Sequence, residues 1–319
     1  MTWKMSKISK MSKMSGALTP GGEREGDLSG AAQQAMILRE RAANSVWRKL
    51  CRNKSAFAGF VIVAVVVFTA ILGPSLVGKD PNKMNFVNMY AKPGERGMIL
   101  GGDEFGRDLF ARVVYGARIS ILVSVGGMAI GAVVGVLLGL ISGFEGGMLD
   151  SFLMRVMDGM FAFPFILLAL LLLTTLGEGI QNVILAIGIA NVPGYARIVR
   201  GQVLFVKNEE YIKSVAALGA SSVRLIFAHI LPNVFSQVIV YATLNVAGAI
   251  LTEASLSFLG MGITPPTASW GGILKSGQDC LQTAPHLALY SGLAILLTVL
   301  GFNLLGDGIR DVLDPKMKT

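Results

Sequence analysis

Six stretches of this 319-residue chain stay apolar over a length that a soluble fold does not need. They cover residues 56–77, 119–141, 161–176, 180–199, 234–259 and 287–305, and the second carries no charge at all. The third continues an apolar face that begins near Phe152, and the fourth is interrupted by Asn182, Asn191 and Pro193. About 20 apolar residues in a helix cross a hydrocarbon core roughly 30 Å thick. Helices also satisfy their own backbone groups where no water is present. The pattern predicts an all-α polytopic transmembrane bundle with about six spans. Composition points the same way, with 53% hydrophobic and 15% charged residues, whereas soluble domains carry about a quarter charged.

The net charge of +8 suggests nucleic acid only until its distribution is read. Residues 1–55 hold eleven Lys/Arg against four acids, and positive charge beside a first span holds that end in the cytoplasm. Six crossings then return the C-terminus, with Arg310, Lys316 and Lys318, to the same side. The first outside loop, 79–115, is nearly balanced, with six Lys/Arg against five acids. The charge therefore addresses the lipid bilayer, and no nucleic acid is expected as a partner. Cys51 and Cys280 fall on opposite faces in this topology, which excludes a disulfide between them. His229 and His286 are separated likewise, and no metal site is expected.

Four segments follow from these signals. Residues 1–45 form a basic tail in which Met5-Ser6-Lys7, Ile8-Ser9-Lys10 and Met11-Ser12-Lys13 repeat. A period of three drifts around a helix and gives no stable stripe, and no apolar core follows to make a signal peptide. The tail reads as disordered, or as attracted to anionic lipid heads. Residues 46–115 hold the first span and its outside loop, 116–308 the remaining membrane domain, and 309–319 a C-terminal tail. In the second span Gly127, Gly131, Gly135 and Gly139 recur every fourth residue, so one helix face admits close approach by a neighbour. Pro164 and Pro193 favour kinks in the third and fourth spans.

The loop 208–232 is not a simple connection. Asn208 is placed to cap a helix with Glu209 and Glu210 in its first turn. Ile212, Val215, Ala216 and Gly219 follow the spacing of an amphipathic helix, and Gly219 suits a left-handed cap. Ser221 or Ser222 then caps a second helix running to Pro232, which opens the fifth span. This makes an elbow of helix, glycine and helix. An interfacial hairpin in the headgroups is one use for it; its smooth Ala-Ala-Leu-Gly surface suits docking to another protein better.

The elbow resembles the conserved cytoplasmic loop of ABC importer permeases, the EAA loop, which ends in a Gly and then an apolar-Leu-Pro. Gly219 and Leu231-Pro232 match, while Lys213-Ser214-Val215 stands where that family has Glu-Ala-Ala. Leu100-Gly101-Gly102-Asp103-Glu104-Phe105-Gly106-Arg107-Asp108 and Tyr115-Gly116-Ala117-Arg118 are similar to the outside loop of the dipeptide/oligopeptide subfamily. Phe163-Pro164, Leu256-Ser257-Phe258-Leu259-Gly260, Pro265-Pro266, Trp270-Gly271 and the segment from Asn303 to Asp311 extend the likeness over about 45–319. It is nearest the second, C-type permease of the pair.

The resemblance implies a type I ABC importer permease fold in a bacterial inner membrane, multi-pass, with both termini cytoplasmic. It implies a pore-forming subunit and no enzyme, with no cofactor bound by this chain; ATP and Mg belong to two partner ATPases. A second related permease and an extracytoplasmic substrate-binding protein complete the assembly. ATPase coupling falls to Glu210, Lys213, Ser214, Ala216, Ala217, Gly219, Leu231 and Pro232. The cargo is a peptide, or in other members glutathione, an opine or a nickel chelate. No Gly-x-x-x-x-Gly-Lys-Ser/Thr loop occurs in the chain, so it cannot cradle ATP phosphates by that motif.

Two rival chemistries are set against this. Residues 101–105 spell Gly-Gly-Asp-Glu-Phe, the signature of diguanylate cyclases, but that enzyme needs a soluble α/β domain, and membrane spans flank the pentapeptide. Asp158 and Glu253 lie at or near membrane depth, where ionisable groups are candidates for a translocation path or a proton relay. The structural alternative pairs them with Arg or Ser at the span ends. A proton-coupled carrier would use them without ATP and would leave the elbow unexplained.

Overall fold

The computed structural model describes residues 53–313. The triplet repeat, the rest of segment 1–45, Cys51, Lys316 and Lys318 lie outside the described residues. Nine helices follow one another among these residues: α1 (Lys54–Val77), α2 (Leu109–Glu145), α3 (Gly147–Phe161), α4 (Phe165–Leu176), α5 (Ile180–Lys207), α6 (Glu210–Ala217), α7 (Ser222–Phe258), α8 (Trp270–Asp279) and α9 (Pro285–Leu313). The single β pairing among the described residues is a bridge between Gly102 and Asp108. The Asn53 side chain accepts from the Ser55 and Ala56 N–H groups to start α1, and Gly78 ends it at φ +59. The Asp108 side chain starts α2 by accepting from Ala111 N–H.

Five of these helices are long and apolar enough to cross a membrane alone; α3 and α4 qualify as one span, bent by 93°. The register of α2 against α5 shows that the bent pair does cross. A Cβ on Gly127 would stand 2.8 Å from Ile187, one on Gly131 2.8 Å from Asn191, and one on Gly139 2.8 Å from Val199. Gly135 faces Tyr195 and Gly143 faces Val203 in the same way. The contacts climb both helices together, so α2 and α5 are parallel, and the chain between them must return along their length. It does. Asp150 pairs with Arg200, Asp158 with Arg197, and Asn182 donates to Leu176 O at 2.7 Å. From Arg200 back to Asn182 is roughly 27 Å at about 1.5 Å per residue, close to the thickness of a hydrocarbon core.

The remaining crossings alternate. Gly59 of α1 meets Leu304 and Leu305 of α9, and Gly301 meets Ile62, so these helices are antiparallel. Gly306 seats Leu244 while Phe302 packs with Ala247 and Ile250, which sets α9 antiparallel to α7. Tyr115 Oη donates to Pro74 O at 3.3 Å where α1 ends and α2 begins. The first and last described segments therefore lie at one end of the bundle, joined by Asn53 and Asp311. The elbow occupies that same end; loops 78–108 and 259–284 close the other.

Several boundaries differ from the sequence expectation. The second span begins at Leu109 and not near 119, because Asp108 caps it before the apolar run starts. The third is broken after Phe161, where Pro164 takes φ −53, ψ 135 and cannot continue a helix. The fourth runs unbroken through Pro193 to Lys207, so Asn208 belongs to its end: the Asn208 side chain donates to Leu204 O at 2.9 Å. Glu209 takes the N-cap place of α6 in its stead. Pro232 stands in the first turn of the α-helical stretch Leu231–Phe258 as expected, but the helix before it is continuous with that stretch, running from Ser222 through a π-helical stretch, Leu225–Ile230, where Leu231 N–H bonds Ile226 O. The wider turn accommodates the proline ring and its missing N–H. The sixth helix extends through Leu313, past the expected tail boundary at 309.

The loop carrying Gly-Gly-Asp-Glu-Phe is a buried ionic knot. Asp103 (2% exposed) accepts from the N–H groups of Phe105 and Arg107, both at 2.9 Å, and from Arg107 Nε at 2.6 Å. Arg112 Nε lies 3.3 Å from the same carboxylate and its Nη1 reaches Pro81 O and Pro266 O. Arg107 also binds Glu104 at 2.8 Å, and Lys79 pairs with Asp108 at 2.6 Å. One carboxylate thus ties loop 78–108 to α2 and, through Arg112, to the loop before α8.

Two stability predictions follow from these contacts. Gly131→Leu should fail to give a monodisperse bundle, because overpacking at a backbone contact costs about 1–3 kcal/mol or more. Gly201→Leu, on α5 where a Cβ meets nothing within 4 Å, should behave as the unmodified protein in thermal unfolding. Equal melting of the two variants would remove the seam from the account. Asp103→Ala should destabilise loop 78–108 by about 3–5 kcal/mol, since it leaves the buried Arg112 guanidinium without a carboxylate and Arg107 with Glu104 alone. Asp103→Asn, which keeps an acceptor for the turn N–H groups, should cost less; proteolysis of loop 78–108 reads the difference.

Candidate functional site: the elbow and a mid-bundle cavity

The elbow is built from one buried anchor and an exposed tip. In α6, Ile212 is buried and Val215 half-buried against the bundle, while Asn233 Nδ2 donates to Tyr211 Oη at 3.0 Å and holds α6 to α7. The expected stripe of Ile212, Val215, Ala216 and Gly219 is therefore seated only at its first two members. Ala216, Ala217 and Gly219 are exposed, as are Glu210, Lys213 and Ser214. Leu218 is 88% exposed. Gly219 takes φ +85 and a Cβ there would meet nothing within 4 Å, so glycine is needed for the backbone and not for space inside this chain. Ser221 Oγ accepts from Arg224 N–H at 3.4 Å to begin α7. Leu231 is half-buried and Pro232 exposed, just past the π-helical stretch.

Large apolar surface flanks that tip. Val223 is 67% exposed and Phe227 52%. Residues 216–220 carry no charge, and Leu218, Val223 and Phe227 add large exposed apolar side chains to the small Ala216, Ala217 and Gly219.

The second feature lies at the middle of the bundle. The break between α3 and α4 opens a cavity of about 180 Å³ against α5 and α7. Phe161 and Phe165 stand at the break; Asn191 and Gly194 line it from α5; Tyr241, Asn245 and Thr252 line it from α7. The Tyr241 ring fits beside Gly194, which has no side chain to displace it, and meets the Tyr195 ring edge-on at 4.9 Å. Sequence reading noted Asn191 only as a weakness in the fourth span and did not single out Tyr241, Asn245 or Thr252. The signal available was three polar residues at helical spacing inside an apolar run.

The two candidate path acids sit elsewhere. Asp158 is exposed and pairs with Arg197 at 2.7 Å. Glu253 is completely buried, accepting from Ser257 Oγ at 2.9 Å; Ser257 in turn accepts from Ile263 N–H at 3.1 Å, which holds the loop after α7. The four glycines Gly127, Gly131, Gly135 and Gly139 all face α5, as described above, and Gly143 extends the row.

Residues 135–319 match the family described as binding-protein-dependent transport system inner membrane component. Residues 43–93 match the N-terminal TM domain of oligopeptide transport permease C. Among curated proteins, the dipeptide transport system permease protein DppC of Alkalihalophilus pseudofirmus is 42% identical over 281 residues, covering 87% of this chain and 92% of that one. The di/tripeptide transport system permease protein DppC of Pseudomonas aeruginosa is 39% identical, over 85% and 91% of the two chains. The glutathione transport system permease protein GsiD of Escherichia coli is 42% identical, over 85% and 90%. Six alternating apolar crossings and these matches agree: the chain belongs to the family of binding-protein-dependent transport system inner membrane components.

Proposed function

We propose that this chain is the C-type permease subunit of an ATP-driven peptide importer, coupled to its ATPase through the elbow. The observation that carries the coupling is the exposed tip at Ala216–Gly219, where Ala216, Ala217 and Gly219 permit close approach and Leu218 offers an uncovered apolar side chain to a cleft on another protein. Both helices that leave the elbow, α5 and α7, also line the mid-bundle cavity, so movement of the tip reaches the cavity through rigid elements. Energy comes from two ATPase subunits holding ATP and Mg, a second related permease completes the pore, and a binding protein delivers cargo. The chain itself is a non-enzymatic channel subunit. Dipeptide and di/tripeptide permeases among the relatives support a peptide cargo. The glutathione permeases at similar identity support a γ-linked tripeptide as the second reading, and binding of either cargo to the cognate binding protein separates them.

The elbow end of the bundle faces the cytoplasm and loops 78–108 and 259–284 face outward. Support comes from the eleven Lys/Arg in residues 1–55 and from the odd number of crossings separating the elbow from the outer loops. A cysteine at position 90 should react with a membrane-impermeant maleimide in intact cells, and one at position 215 only after permeabilisation. The reverse pattern would invert the assignment.

Gly219→Trp is the sharper test of coupling. The positive φ costs a non-glycine residue about 1–2 kcal/mol, yet a Cβ at this exposed position meets nothing within 4 Å among the described residues, so the permease should still fold and insert. Recruitment of the ATPase and cargo-stimulated ATP hydrolysis should both drop by at least tenfold. Lys213→Ala should change each by less than about twofold, its charge lying outside residues 216–220 on an exposed side chain, and exposed ion pairs contribute about 0–1 kcal/mol. Normal recruitment by Gly219→Trp would exclude the elbow as the coupling element.

A further inference from the structure

The mid-bundle cavity has an unusual chemical lining for its depth. None of its lining residues is ionisable at neutral pH, and its polar groups come from two asparagines, one threonine and one tyrosine. The orientation of both amides is fixed by chemistry. Asn191 Nδ2 donates to Ile187 O at 2.8 Å and Asn245 Nδ2 donates to Tyr241 O at 2.8 Å; a side-chain carbonyl cannot donate, so the nitrogen of each amide faces its own helix. Each amide keeps its carbonyl oxygen and a second N–H hydrogen. Neither oxygen is among the sealed, unpartnered atoms of the described residues, so both stay accessible from the cavity. Thr252 uses its hydroxyl hydrogen on Gly248 O at 2.9 Å and keeps acceptor capacity.

The depth of the site is set by register. Asn191 lies near the middle of α5 and Tyr241 near the middle of α7, and the α3–α4 break falls at the same level. In secondary transporters, broken helices beside a midplane cavity hold the transported molecule, and the same physical demand applies to any carrier of a polar cargo. A cargo amide crossing there loses its water, and the loss is costly unless a partner replaces it.

We infer that Asn191 and Asn245 form a transit site that takes the backbone amides of the cargo, one from α5 and one from α7. A side-chain amide offers a donor and an acceptor, the same complement as a peptide group. Neutral partners bind any peptide backbone while holding no charged side chain strongly, and conduction requires a site that is favourable enough to enter and weak enough to leave. The inference rests on the peptide reading above and goes further: it assigns recognition inside the membrane to two named amides, with Asp158 and Glu253 outside the set.

The test uses the complete transporter in proteoliposomes, with binding protein and ATPases, and two probes. One is trialanine; the other is trialanine N-methylated at both peptide bonds, which keeps the charged termini and removes the N–H donors. Both are supplied at concentrations that saturate the binding protein. Wild type should carry trialanine at least tenfold faster than the methylated analogue. Asn191→Ala and Asn245→Ala, which remove the amide acceptor and donor and leave a good helix former in each span, should each slow trialanine about tenfold. Discrimination between the probes should shrink toward unity in the double variant, while ATPase recruitment by the elbow stays unchanged. Wild-type rates with undiminished discrimination in the double variant would overturn the transit site and leave the peptide reading standing. A wild-type complex that carries neither probe would overturn both. The isosteric Asn245→Leu, tested alongside, should lose trialanine transport at least as far as the alanine variant, and unaltered transport by it counts equally against the site.

Discussion

Close approach of α2 to α5 is the contact on which the rest of this bundle is hung. In hydrocarbon there is no hydrophobic drive between helices, so association depends on packing area and backbone proximity. Five glycines from Gly127 to Gly143 place α2 against Ile187, Asn191, Tyr195, Val199 and Val203 of α5 at a constant register. That register makes the two helices parallel, and parallelism has a topological consequence. The segment between them has to retrace the whole depth, and it does so as two short helices with a break in the middle. The glycine row sets the return path and the level of Asn191, and Pro164 sets where that path breaks.

The ion pairs lock this return path in place. Asp150 accepts from Arg200 Nη2 at 2.7 Å and also from Ser142 of α2, so a single carboxylate joins α2, α3 and α5. Arg197 pairs with Asp158 and lies 4.5 Å from the Phe161 ring, next to the break. At the opposite end Asp103, Arg107 and Arg112 do the same for loop 78–108. That buried cluster is costly to break from one side, whereas the exposed Asp158–Arg197 pair contributes about 0–1 kcal/mol.

The sequence carried much of this openly and hid the rest for physical reasons. Apolar runs announce crossings because hydrocarbon demands them, and the elbow announced itself through Gly219, whose φ of +85 only glycine adopts cheaply. Gly143 continued the four-residue spacing but lay past the apolar run, where the search for a packing face had ended. The partners of Asp150 and Asp158 were illegible, since Arg200 and Arg197 are brought to them by a parallel register that no local pattern encodes. The ends of the elbow were misplaced for a related reason. Whether Asn208 closes one helix or opens the next depends on how far α5 persists, and α5 persists because Val203 and Val206 are buried at its end.

The elbow and the cavity are joined by the same two helices, and their joints differ. α5 enters the elbow directly through Lys207, whose amine holds Phe144 O at the end of α2, so that side moves with the glycine seam. α7 leaves the elbow through a π-helical stretch, Leu225–Ile230, a weaker and wider turn than the α-helix on either side. A displacement of the tip is then passed rigidly to α5 and with some compliance to α7. Asn191 rides on the stiff arm and Asn245 on the compliant one. The contact between the arms at this level is narrow, with Tyr241 seated on the bare backbone at Gly194 and edge-on to the Tyr195 ring. On the proposed coupling, the nucleotide state of the ATPase would therefore be read at mid-membrane as the distance between two amides.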